Sequence, residues 1–198
     1  MDFDKSYLQI LLKECALPEM KISDMPEIDL YMEQLTQFLE NKYKGIRRDQ
    51  TEKILTRTMI NNYSKMGLLM PPINKHYGKE HIVLLILIYN LKNVLSINDI
   101  KLLFSPILNN VANREDDILF LEDIYNTFLE LNNIEFDNFY NSFAYRLDLI
   151  KEKTRDLDQK DQDIAQLFLF IIMLVAQSNA QKKLAEKLID EFFAPPKV

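Results

Sequence analysis

Cysteine and glycine are nearly missing from this chain of 198 residues, and each shortage excludes something. Cys15 stands alone, so neither a disulfide framework nor a cysteine-based zinc site can form, which suits a reducing cytoplasm. Glycine occurs only at 45, 67 and 78, and apolar–polar alternation is almost absent, which argues against sheets and for helices joined by short connections. The phosphate-loop, dinucleotide and H-E-x-x-H signatures are all missing, and no serine or cysteine stands in a nucleophile context. The expectation is therefore a protein that is not an enzyme and carries no cofactor. His76 and His81 are the only histidines and lie across a helix boundary with Glu80 alone nearby, a poor metal site. The first residues are acidic and lack the basic start of a signal peptide. The most apolar run, 164–176, falls short of the roughly 20 residues of a membrane span. It reads as a fully buried helix, with a place at an oligomer interface as the alternative, and no membrane partner is expected.

What the chain does have is 47% hydrophobic residues, enough for a sizeable core, and an uneven charge distribution. The net charge of −6 divides into about −6 over residues 1–41, +7 over 42–101 and −7 over 102–198. Cations gathered on one stretch of an acidic chain are the footprint expected of phosphate contact, although a solvated lysine-rich surface would look the same.

The basic stretch contains the most informative segment, 55–77. Thr56 or Thr58 can cap a helix of about three turns, and Gly67 can end it in the left-handed conformation. Met59, Ile60, Tyr63 and Met66 repeat on one helical face. Arg57, Thr58, Asn61, Asn62 and Lys65 fill the other, with two amides, two cations and no carboxylate, an inventory suited to base edges and phosphates. Pro71 and Pro72 then force an extended exit, and Asn74, Lys75, His76 and Tyr77 make a short basic and aromatic tip.

These residues resemble the winged helix-turn-helix of MerR-type transcription regulators. Ile60, Asn61, Asn62 and Tyr63 fall on that family's Ile-Arg-Tyr-Tyr motif. Lys65, Gly67, Leu68, Leu69 and Pro71 fall on its Lys-x-Gly-Leu-Leu-x-Pro, and Lys75 with Tyr77 on its Arg-x-Tyr wing pair. The apolar positions Ile82, Leu85, Ile88 and Leu91, and Ser96 opening the next helix, continue the match to about residue 104. Asn61 replaces the family's usual arginine, which implies amide reading there, and the wing is shorter and lacks its glycine turn. The resemblance implies an all-α fold with a small or vestigial β wing. It implies double-stranded DNA as partner, with Arg57, Asn61 and Asn62 facing base edges. Thr58, Lys65, Lys75, His76, Tyr77 and the pair Arg47 and Arg48 would hold the backbone. That pair could instead cap the preceding helix through its dipole. The whole chain, with 26–30 leading into an acidic helix and then TMINNY, also resembles an uncharacterised bacterial family catalogued only as a domain of unknown function.

Elsewhere the periodicity predicts a short helix over 6–16 with Tyr7, Ile10, Leu11 and Cys15 inward, and a linker over 17–26. A helix opening at Glu27 or Asp29 should follow, and the connection over 44–55 is longer than a helix-turn-helix allows unless 51–54 adds a turn. The segment 79–94 predicts the central buried helix, and Ser96 with Asp99 caps a helix that Pro106 ends. Helices over 118–131, 136–150, 164–176 and 182–193 would then form a bundle, with Phe136, Phe139, Tyr140 and Phe143 as core and the aspartates of 156–163 in a solvated linker. The predicted division is an arm and linker over 1–26, a winged helix-turn-helix domain over 27–105 and a C-terminal bundle over 106–198. The bundle would serve dimerisation between copies or the sensing of an unnamed small-molecule effector. Two functions remain open: a DNA-binding regulator, or a non-enzymatic helical interaction module on the same scaffold.

Overall fold

The structure is a computed structural model, and it describes residues 5–16, 18–46, 51, 53–111 and 117–195. It is mostly helical, with 74% of residues in helices and a single two-stranded sheet among the described residues. In chain order the elements are α1 (Lys5–Glu14), β1 (Leu30–Tyr31), α2 (Met32–Tyr43), α3 (Arg57–Lys65) and β2 (His76–Tyr77). Then follow α4 (Lys79–Leu91), α5 (Ile97–Val111), α6 (Asp117–Lys153) and α7 (Gln159–Phe192).

Packing divides the chain into two compact units: residues 18–129 with 185–198, and residues 1–17 with 130–184. α6 and α7 are each one continuous helix that contributes residues to both cores, where four shorter helices were expected. Asn132 and Asn133, read as a break, sit inside α6. Asparagine's weak helix propensity costs only a fraction of about 1 kcal/mol per residue, which the buried positions farther along α6, Leu121 and Tyr125 on one side and Phe143 and Leu147 on the other, outweigh.

In the larger unit α4 is the central element. His81 to Ile86 and Ile88 are all buried, so it is surrounded on every side, as the apolar run 79–94 predicts. Leu35, Leu39 and Tyr43 of α2, Ile60 and Tyr63 of α3, and Ile100 and Phe104 of α5 pack into the same core. Tyr125 of α6 and Ile189 of α7 complete it. The expected helix start at 27–29 gives way to β1, because Leu30 and Tyr31 pair antiparallel with Tyr77 and His76 before α2 begins. Ser96 and Asp99 form the reciprocal cap of α5, each side chain accepting from the other's backbone N–H at 3.1 Å. Pro106, expected to end that helix, lies inside it. The ring leaves the Leu102 carbonyl without its i+4 donor, and the Ser105 hydroxyl donates to that carbonyl at 2.8 Å instead.

The smaller unit packs Leu8 and Leu12 of α1 against Phe143, Leu147 and Ile150 of α6 and Phe170 of α7. The inward face of α1 is thus not the predicted one: Tyr7, Ile10 and Leu11 are exposed. Phe136, Phe139 and Tyr140 pack against this core as partly buried residues. Between α6 and α7 the Thr154 hydroxyl donates to the Ile150 carbonyl and accepts from buried Gln166, which closes the turn. The segment 164–176 is not the fully buried helix expected of it. Only the Gln166, Phe170 and Leu174 face turns inward, and Ile164 and Phe168 are 72% and 63% exposed.

Candidate nucleic-acid interface

The helix α3 is held at both ends by local chemistry. Thr56 is the N-cap, and its hydroxyl oxygen accepts from the Met59 N–H at 3.2 Å. At the other end Gly67 has φ 73°, its N–H donates to Ser64 and that of Leu68 to Tyr63, the paired bonds of a Schellman stop. Ile60 and Tyr63 bury the inner face while Leu68 and Leu69 lead back into the core. Met66, predicted on that inner face, is exposed because it sits at the C-cap.

The outward face is the one the spacing predicts: Arg57, Thr58, Asn61, Asn62 and Lys65 are all exposed. It is not free of carboxylate, however. Glu33, in the first turn of α2, lies 3.2 Å from the Arg57 guanidinium, and both side chains are largely exposed. Nothing near Arg57 in sequence signals this pair, since the two residues meet only when α2 and α3 pack.

Beside α3 the chain makes a two-residue hairpin without glycine. Ile73 and His76 exchange both backbone hydrogen bonds, at 2.8 and 3.1 Å. Asn74 and Lys75 occupy the tip with φ of 50° and 68°. Two successive left-handed residues are what a tight type I′ hairpin turn requires. Asparagine tolerates that conformation, whereas lysine adopts it at a cost. The strained residue is the exposed cation.

Because β2 is a strand, its two side chains point opposite ways. His76 faces out, with Nδ1–H donating to the Asn74 carbonyl at 2.8 Å and the ring tilted against Tyr31 at 4.2 Å. Tyr77 faces in and is 4% exposed, edge-on to His81, so it anchors the hairpin and is not at the surface where a backbone contact was expected. Burial pushes its hydroxyl pKa up, with the charge of Arg57 opposing and that of Glu33 adding to the shift. Tyr31 is the residue sequence reasoning missed, visible only once β1 pairs with β2. It follows that the start of α3, the start of α2 and the hairpin lie side by side, linked as Arg57–Glu33 and Tyr31–His76.

His81, the second histidine, is a core group. Its Nδ1 accepts from the Gly78 N–H at 3.1 Å, while its buried Nε2 has no hydrogen-bond partner among the described residues. Burial lowers its pKa, so it is neutral at pH 7. Arg47 and Arg48 lie outside the described residues. The α2–α3 connection gains no helical turn at 53–55, and it is pinned by buried Ile54, whose N–H donates to Glu40.

Fold and site together define a helical protein that presents one short polar helix and one cationic hairpin on a common side. The chain belongs to the family described as Domain of unknown function (DUF1836), which it matches over residues 20–128, more than half its length. That span covers the whole candidate interface. No curated protein and no solved structure matches the chain.

Proposed function

We propose that this chain is a non-enzymatic transcription regulator of the MerR-like winged helix type, reading duplex DNA through the outer face of α3 and the 73–76 hairpin. The observation that carries the reading is the exposure of Arg57, Thr58, Asn61, Asn62 and Lys65 on one face, next to a tip that offers Lys75. An exposed asparagine can donate to and accept from adenine in one plane, so Asn61 and Asn62 specify, while Lys65 and Lys75 supply affinity through phosphates. The +7 balance of the segment that carries them supports the same reading. Such a role belongs in the cytoplasm, where the exposed thiol of Cys15 stays reduced.

Selection of bound sequences from a random duplex pool, followed by titration at two salt concentrations, tests it. Affinity should fall with salt at a log–log slope of about −0.9 per neutralised phosphate. Asn61→Ala should cost about 1–3 kcal/mol on the selected site and relax preference there. A folded protein with neither sequence preference nor a salt slope would sink the proposal.

A second reading, a protein-interaction module on this scaffold, draws on the exposed apolar side chains of Tyr31, Met66 and Ile73 around the same surface. The α2–α3 connection is also longer than the 3–4 residues typical of a helix-turn-helix. An apolar contact would show little salt dependence, which separates the two.

A further inference from the structure

The face of α7 opposite its own core is apolar and open. Taking 100° per residue, Ile172 lies about 160° around the helix from Phe170 and Leu174, the residues that pack inward. Around Ile172 the side chains of Ile164, Phe168, Ile171, Met173 and Val175 are each about half exposed or more. Free side chains of this size carry roughly 150–200 Å² each. The six therefore leave on the order of 600 Å², the upper end of what monomers tolerate and close to the roughly 800 Å² per partner of a standard interface.

Two occupants have to be weighed, a bilayer and a second protein surface. Among the described residues α7 is the one helix long and apolar enough to cross a membrane. Its inner face argues against that use. Phe170 is edge-on to Phe143 of α6 at 4.9 Å, Gln177 accepts from Arg146 of α6, and Gln166 is bonded to Thr154 in the turn that follows α6. That partner helix carries Glu135, Asp137, Asp148 and Lys151 on its exposed sides, and α7 could enter a bilayer only by leaving it.

The charge pattern names the occupant. From Ile164 to Gln181 there is no ionisable side chain, and the open stripe ends in an exposed acid, Asp161, and an exposed base, Lys183. Each lies eleven residues from Ile172. Eleven residues make three turns and about 20°, so both charges stand on the same line as Ile172 and about 16 Å from it. Such a stripe is complementary to itself when reversed: an acid faces a base at each end, and Ile172 meets Ile172 on the two-fold axis. A parallel pairing would set Asp161 against Asp161 and Lys183 against Lys183.

We propose that the outer face of α7 is a homodimer interface, two copies of the chain packing their α7 helices antiparallel about Ile172. The inference requires no property of α3, and its test uses no DNA, so it stands or falls apart from the DNA reading.

The test uses the full chain. Sedimentation should give a dimer at micromolar concentration, and Ile172→Asp, which places two like charges on the axis, a monomer with unchanged helical content by circular dichroism. Asp161→Lys should weaken the dimer at least tenfold, and adding Lys183→Asp should restore it. In a Cys15→Ser background, Ile172→Cys should form a disulfide-linked dimer on oxidation and Ile164→Cys should not. A monomeric wild type overturns the proposal, as does Ile164→Cys crosslinking as readily as Ile172→Cys. So does partition of a monomer into phosphatidylcholine vesicles, which would make the bilayer the occupant.

Discussion

The guanidinium of Arg57 lies 3.2 Å from the carboxylate of Glu33, so the first cation of the candidate DNA-reading helix is held by an acid from the neighbouring helix. An exposed pair of this kind contributes about 0–1 kcal/mol to stability and is easily exchanged for another partner. Duplex DNA would have to displace Glu33 before Arg57 could contact it. Glu33→Gln removes that competition and a negative charge beside the phosphates. Affinity for duplex should rise up to about fivefold and the salt slope steepen by about 1, with the melting temperature almost unchanged. Fluorescence anisotropy with a labelled duplex at two salt concentrations reads both quantities. An unchanged affinity would mean that Arg57 does not touch DNA.

The hairpin tip allows charge and backbone to be separated at one position. Lys75 has φ 68°, which glycine adopts freely and alanine does not. Lys75→Gly should hold or raise stability by up to about 1 kcal/mol, relief of strain being partly offset by a more flexible unfolded chain. Lys75→Ala gains no such relief. Both lose the cation, so both should bind all duplexes more weakly and lower the salt slope by about 1. If Lys75→Ala alone lost affinity, the role of the residue would lie in the turn and not in its charge.

His81 predicts a pH dependence with a definite sign. Its folded pKa is lowered by burial, so between that value and the unfolded one of about 6.5 the unfolded chain binds the extra proton. The stability contributed by the neutral ring is therefore complete above pH 6.5 and lost as pH falls below it, at no more than about 1.4 kcal/mol per pH unit. His81→Gln keeps an acceptor in reach of the Gly78 N–H and cannot titrate. Thermal melts from pH 7.5 to 5.0 should show a shallower loss in the variant, and parallel curves would refute this assignment.

Tyr125 carries the longest-range side-chain hydrogen bond described here, its hydroxyl donating to the Met20 carbonyl at 2.7 Å across 105 residues of sequence. Both residues are buried. Tyr125→Phe leaves that carbonyl without its donor away from water and should cost about 1–3 kcal/mol. Urea denaturation should show a lower midpoint with the slope retained. A variant as stable as the wild type would imply that the carbonyl finds water.

The features that the sequence alone determined are those with short-range causes. The cap at Thr56, the left-handed stop at Gly67, the reciprocal pair Ser96 and Asp99 and the buried run of α4 all act within a turn or two of helix, so spacing and residue type suffice to read them. The outward face of α3 was legible for the same reason: 3.6-residue periodicity assigns sides without knowledge of the neighbour. Only the tertiary structure decided what came from elsewhere in the chain. Glu33 reaches Arg57, and Tyr31 reaches His76, through packing and strand pairing that leave no local mark. Tyr77 turns inward because β2 pairs with β1, and a two-residue strand is too short to announce itself. Asn132 and Pro106, local helix breakers, stay inside helices because an asparagine costs only a fraction of about 1 kcal/mol and the Ser105 hydroxyl answers the carbonyl that Pro106 leaves free. The run 164–176 shows the limit most sharply, because hydrophobicity states that surface must be covered and is non-directional as to what covers it. Its inner face is covered by α1 and α6, and its outer face stays open in the single chain.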